Sequence, residues 1–117
     1  MKTMMGRLSE RYLKEFKAKL ILNRARYEAT IENFSENGIK VITESKDTAL
    51  DFLPDEAIDL EFEIPSGEVL SLHCKVKWSN KLSSDSLIQD IGLEITENSP
   101  EYEDFFKSLL ISNMVYL

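Results

Sequence analysis

Two short segments hold the side chains best placed by type and spacing to do chemistry. The first is Arg7-Leu8-Ser9-Glu10-Arg11, two arginines four apart. The second is Asn33-Phe34-Ser35-Glu36-Asn37-Gly38, an Asn-x-Ser-x-x-Gly turn. A guanidinium presents a rigid fork of donors that meets phosphate oxygens two at a time. Asn33 and Ser35 offer short polar groups, and Gly38 supplies either a positive φ or room for a close backbone approach. Either segment alone is common, since arginines four apart occur on any charged helix and Asn, Ser and Gly favour turns on their own account. Their order and setting join them: the arginine pair precedes the first predicted strand, and the turn links the second strand to the third.

The remaining reactive residues point away from catalysis. His73 and Cys74 are adjacent, so on a strand they face opposite sides and make a poor nucleophile–base pair. No second cluster of ligand-type residues stands at a metal-binding spacing, and no metal site is expected. Asp59, Glu61 and Glu63 alternate along a strand and read as a solvated face. No catalytic residue and no enzyme activity are expected.

Charge narrows the ligand. The net charge of −7 argues against a general binder of nucleic-acid polymers. Residues 1–26 hold eight of the fourteen Lys and Arg residues and two of the twenty-one acids, so that stretch is +6 and residues 27–117 are −13. A basic arm on an acidic body suits a compact anion. Arg24 and Arg26, beside the first turn, read as solvated.

The elements that must position these groups follow from period-two alternation. Phe16, Ala18, Leu20 and Leu22 share one face of a first strand, and Asn23-Arg24-Ala25 turns it. Tyr27, Ala29 and Ile31 alternate with Glu28, Thr30 and Glu32 in a second. A third runs over 39–43, and residues 45–56 read as a longer loop with room for a turn of helix. Ile58, Leu60, Phe62 and Ile64 mark a fourth strand, closed by the Pro65-Ser66-Gly67 turn. Leu70, Leu72, Cys74, Val76 and Trp78 line one face of a fifth, with Trp78 assigned to core or barrel-edge packing. Residues 79–86 read as a polar loop, and Ile88 to Ile95 as the last strand. Ser99 caps a helix with Pro100 in its first turn. In that helix Tyr102, Phe105, Phe106, Leu109 and Leu110 form one packing face. Residues 7–17 fit either a short amphipathic helix or an extended arm. Six strands with short turns and a terminal helix imply a mainly β, closed antiparallel barrel.

At 117 residues the chain has room for one core. It is read as a basic arm over 1–15 and a barrel with its C-terminal helix over 16–117, together one domain. The start shows no signal-peptide pattern, no apolar run reaches the roughly 20 residues of a membrane span, and one cysteine permits no internal disulfide. A cytoplasmic location is the expectation.

These residues resemble the PilZ domain family over about 7–112. The likeness is carried by the arginine pair, the stretch Tyr27 to Ile39, Val76-Lys77-Trp78, and Ile91-Gly92-Leu93-Glu94-Ile95 ahead of the closing helix. It implies a six-stranded barrel that binds cyclic di-GMP as ligand, with no further cofactor. Carried over by position, the ligand residues are Arg7, Arg11, Asn33, Ser35 and Gly38. A register starting at Arg11 would put Glu15 at the second arginine and leave too short a gap to Asn33. Arginine suits this ligand, because it can grip phosphate, read the O6/N7 edge of guanine and stack on a purine face. Asn33 stands where the family has Asp or Asn, and it lacks the charge of the acid. Gly6 stands where many members carry a further arginine. The likeness implies a receptor or adaptor that orders its arm on the barrel and signals to a protein target in motility, adhesion or exopolysaccharide control. The alternative is a nucleotide-independent interaction module using the acidic strand face or the apolar C-terminal tail.

Overall fold

The computed structural model of the chain describes residues 16–44, 51–81 and 87–115, with side chains as far as Ile111. The alternation read from the sequence is laid out as six strands: β1 (Lys17–Leu22), β2 (Ala25–Phe34), β3 (Gly38–Glu44), β4 (Ala57–Glu63), β5 (Val69–Lys81) and β6 (Ile88–Ile95). Helix α1 (Pro100–Val115) follows. Every pairing is antiparallel, in the order β1-β2-β3-β6-β5-β4, and β4 pairs back onto β1 to close the barrel. Closure leaves no unpaired sheet edge. The mainly β class, the six-stranded barrel and the C-terminal helix are thus as expected.

The inward residues of each strand make one core. Leu20, Ile31, Val41, Leu60, Val76 and Ile91 are fully enclosed at 0% exposure. Their outward neighbours are polar, as with Lys19, Glu28 and Lys75. The β1–β2 hairpin closes on Asn23 and Arg24, both at positive φ (50° and 72°). Those angles define the type I′ turn whose twist matches the flanking strands. Phe52 is buried near that end of the barrel, edge-on to Tyr27, and its carbonyl accepts from the Ser79 hydroxyl at 2.7 Å.

The opposite end is filled by aromatic rings. Phe16, Phe34, Phe62, Tyr102 and Phe105 pack with ring centroids 5.2–6.4 Å apart. Helix α1 brings two of them. Ser99 Oγ accepts from the Tyr102 amide at 3.2 Å, a standard N-cap, with Pro100 next in line and Glu101 and Glu103 in the positive first turn.

Three expectations are corrected. Strand β5 runs through Lys81, so Ser79, Asn80 and Lys81 belong to the sheet rather than to a loop. Leu110 is 47% exposed and does not share the packing face of Tyr102 and Phe105. Trp78 does not continue the inward row of Leu70, Leu72, Cys74 and Val76. The β5–β6 register shifts between Val76 and Trp78, and Trp78 emerges 42% exposed on the outer surface. One extra residue, Lys77, reverses the alternation from that point on.

Candidate functional site

A second bulge completes what the first begins. The β2–β3 register shifts between Ile31 and Asn33, with Glu32 as the extra residue. Simple alternation would put Asn33 on the inward side with Ile31. After the bulge Asn33 is exposed, while Phe34 turns in to the aromatic cluster. The registers then align one outward row across four strands: Asn33 pairs with Lys40, Lys40 with Gly92, and Gly92 with Trp78.

Gly92 is the gap in that row, and the indole of Trp78 fills it. A Cβ at Gly92 would stand 2.3 Å from Trp78 Nε1 and 2.4 Å from Cε2, so only glycine lets the ring lie there. The position therefore serves ring placement, a role the sequence reading did not assign. A lone glycine in the middle of the last predicted strand, with a tryptophan on the strand before it, was the signal available.

The β2–β3 turn forms the end of the row. Ser35 closes the hairpin twice, its amide donating to the Gly38 carbonyl at 2.8 Å and its hydroxyl to the same oxygen at 2.9 Å. Gly38 resolves to a close approach rather than a positive φ. A Cβ there would lie 2.8 Å from the carbonyl oxygen of Leu93, which is backbone and cannot swing aside. The turn is held from behind by Tyr102, whose hydroxyl donates to the Ser35 carbonyl at 2.6 Å, and by the Ile95 amide donating to the Asn37 carbonyl at 2.9 Å. Burial raises the Tyr102 pKa, which keeps that donor protonated.

Asn33, Ser35, Gly38, Lys40, Lys77, Trp78 and Gly92 line one shallow groove of about 190 Å³. The structure brings together three of the five residues expected at the site. The other two, Arg7 and Arg11, lie outside the described residues. The described chain begins at Phe16, whose ring meets Phe34 edge-on at 5.3 Å and whose carbonyl accepts from the Ile31 amide at 3.0 Å. The described chain thus begins beside the Ile31–Phe34 stretch of β2. A larger concavity of about 410 Å³ lies on the other side of the same turn, between Glu36, Glu97, Tyr102, Glu103, Phe106 and Leu110.

Away from the groove, Cys74 and His73 have structural partners. Burial pushes the Cys74 thiol up to about 12, so it is held protonated and unreactive. His73 is exposed on the opposite face, as expected, and its Nδ1 meets Asp59 Oδ1 at 2.7 Å with Glu97 4.0 Å from Nε2. The Asp59 hydrogen bond, then the charges of Asp59 and Glu97, raise the His73 pKa. A folded value above the unfolded one means the pair stabilises fully below the ordinary histidine range. That contribution fades as pH rises through the raised value. An NMR titration of the His73 ring should therefore give a midpoint above about 6.5, falling toward it in Asp59→Asn. A wild-type midpoint at or below the ordinary value would contradict this pairing.

Among the described residues no group of three or more His, Cys, Asp and Glu side chains is placed to hold a metal ion. No described helix is long and apolar enough to cross a membrane. A search of curated proteins found no match. A scan against family models matched the PilZ domain over residues 6–112, a span that takes in the arginine pair, the barrel and most of α1. A match over nearly the whole chain, on a closed six-stranded barrel with the Asn-Ser-Gly turn at the rim of its groove, shows that this protein belongs to the PilZ domain family of cyclic di-GMP-binding modules.

Proposed function

We propose that the groove bearing Asn33, Ser35, Gly38 and Trp78 is the barrel half of a cyclic di-GMP site, and that the arm over residues 1–15 supplies the other half through Arg7 and Arg11. The observation that carries this is the pair of bulges. They turn a base-reading amide and a flat aromatic surface outward onto the same groove, across a glycine that clears the space between them. Asn33 can pair with a guanine edge, the exposed indole of Trp78 offers a stacking face, and Ser35 keeps free lone pairs while its proton closes the hairpin.

The groove is open, and its roughly 190 Å³ falls below the ~300–1,000 Å³ of an enclosed small-molecule pocket. A ligand lying on it needs a cover. Arg11 stands five residues before Phe16, a chain reach of at most ~18 Å. Phe16 itself packs against Phe34, next to Asn33. The arm is thus tethered close enough to fold over a ligand on this face, adding guanidinium contacts to phosphate and base. Such a chain is a receptor rather than an enzyme, acting in the cytoplasm as one domain of arm and barrel. Ordering of the arm would change the surface shown to a protein target in motility, adhesion or exopolysaccharide control.

The larger concavity favours a second reading, a nucleotide-independent interaction module. It combines the acids Glu36, Glu97 and Glu103 with apolar Phe106 and Leu110. Titrating cyclic di-GMP into ¹⁵N-labelled protein separates the two. The first reading expects the largest shifts at Asn33, Ser35, Gly38 and the Trp78 indole N–H. Shifts confined to the far side of the turn, or none at saturating ligand with a folded spectrum, would leave the second reading standing.

A further inference from the structure

The outward row contains a cation with an unusual partner. Lys40 sits between Asn33 on β2 and Gly92 on β6, and it lines the groove. Its ammonium lies 3.6 Å from Glu32 Oε1, an ion pair too long for a hydrogen bond. That oxygen is enclosed and accepts no hydrogen bond from any described group. A buried carboxylate oxygen without a donor is costly, and a nearby positive charge is the compensation the structure provides. The β2 bulge creates this arrangement, because its extra residue places Glu32 beside Asn33 and both beside Lys40.

We propose that Lys40 is a phosphate-contacting cation of the groove and that Glu32 is the built-in anion with which the ligand must share it. This rests on the cyclic di-GMP reading above. A phosphate held near Asn33 comes within reach of the Lys40 ammonium, which carries three donors and a flexible stem. Glu32 occupies that charge in the free protein and repels the incoming phosphate. The other acids on this outer surface are differently placed: Glu94 pairs with Lys75 at 3.5 Å, and Asp90 lies opposite Ile42, two pairs beyond Lys40 and Gly92. Glu32 is therefore the acid that tunes Lys40. The pair sets affinity from the barrel side, independently of the arm.

Titration calorimetry with cyclic di-GMP at low and moderate salt tests this on the full chain and on Lys40→Gln, Lys40→Arg and Glu32→Gln, each checked for folding by thermal melting. Lys40→Gln should weaken binding about tenfold and flatten its salt dependence. Lys40→Arg keeps the charge and should stay within about threefold of wild type, which separates a charge effect from lost packing. Glu32→Gln removes the competing charge and should tighten binding about threefold or more. If wild type binds but Lys40→Gln binds equally well with the same salt dependence, Lys40 touches no phosphate and this inference is overturned while the arm-and-groove reading stands. If Glu32→Gln weakens binding, Glu32 positions Lys40 instead of competing for it, and that half of the inference is overturned. If folded wild-type protein binds no cyclic di-GMP, the reading beneath both is overturned.

Discussion

Phe105→Ala is expected to lower the unfolding free energy by about 3–5 kcal/mol, which would be a large part of the whole stability of a domain this size. Phe105 is 6% exposed and is the ring common to both sides of the interface between helix and barrel. From α1 it reaches Phe16, Phe34 and Phe62 on the barrel at 5.5, 5.2 and 5.7 Å, and Tyr102 on its own helix at 6.4 Å. Truncation leaves a void lined by rings too rigid to collapse into it. The loss should not stay local. Tyr102, one turn away, holds the Ser35 carbonyl from behind, so a loosened helix also releases the Asn-Ser-Gly turn. Urea unfolding should show the drop as a shifted midpoint with little change in slope. A loss under about 1 kcal/mol would mean that the helix contributes little to the core.

Gly92→Val is expected to abolish most cyclic di-GMP binding while leaving the barrel folded. Valine is a good strand residue, so the backbone has no reason to object. Its first side-chain atom, however, would overlap the Trp78 indole, and the ring must swing off the row. Loss of a stacking surface is worth ~1–3 kcal/mol per base, or roughly fivefold to 150-fold in affinity. Trp78 is the single tryptophan of the chain, so its fluorescence reports the displacement directly. The emission should shift to the red in the free variant. Unchanged emission together with unchanged affinity would show that the ring neither rests on Gly92 nor meets the ligand.

The strands were legible because half-buried strands alternate, and the chain keeps that alternation cleanly. Predicted β6, Ile88 to Ile95, coincides with the observed strand. Ser99 and Pro100 announced the helix start because capping needs those residue types there. What could not be read were the two bulges. An inserted residue changes no composition and leaves the pattern plausible: Val76-Lys77-Trp78 looks like in-out-in whether or not a bulge lies at Lys77. Trp78 was therefore assigned to packing, although the bulge puts it on the groove. The same holds for Asn33, whose outward direction depends on Glu32 being extra. Gly38 was legible as a necessary glycine, yet only the structure separates a close approach to Leu93 from a positive φ. Lys40 carries no local motif, and Gly92 lies in the stretch Ile91 to Ile95 without any local sign of its role beside Trp78. Lys40 meets Asn33, and Gly92 meets Trp78, between consecutive strands whose registers the bulges set, and the two pairs join only because β6 lies against β3, a non-local pairing.

The central claim is that a basic arm and an outward barrel groove hold cyclic di-GMP between them. Titration calorimetry of the wild-type chain against an Arg7→Ala, Arg11→Ala double variant tests it most directly. Charge-assisted hydrogen bonds contribute ~1.5–3 kcal/mol each, so micromolar or tighter wild-type binding should weaken at least about a hundredfold in the variant. Binding equally tight in the double variant, or none by a correctly folded wild-type chain, would contradict the account.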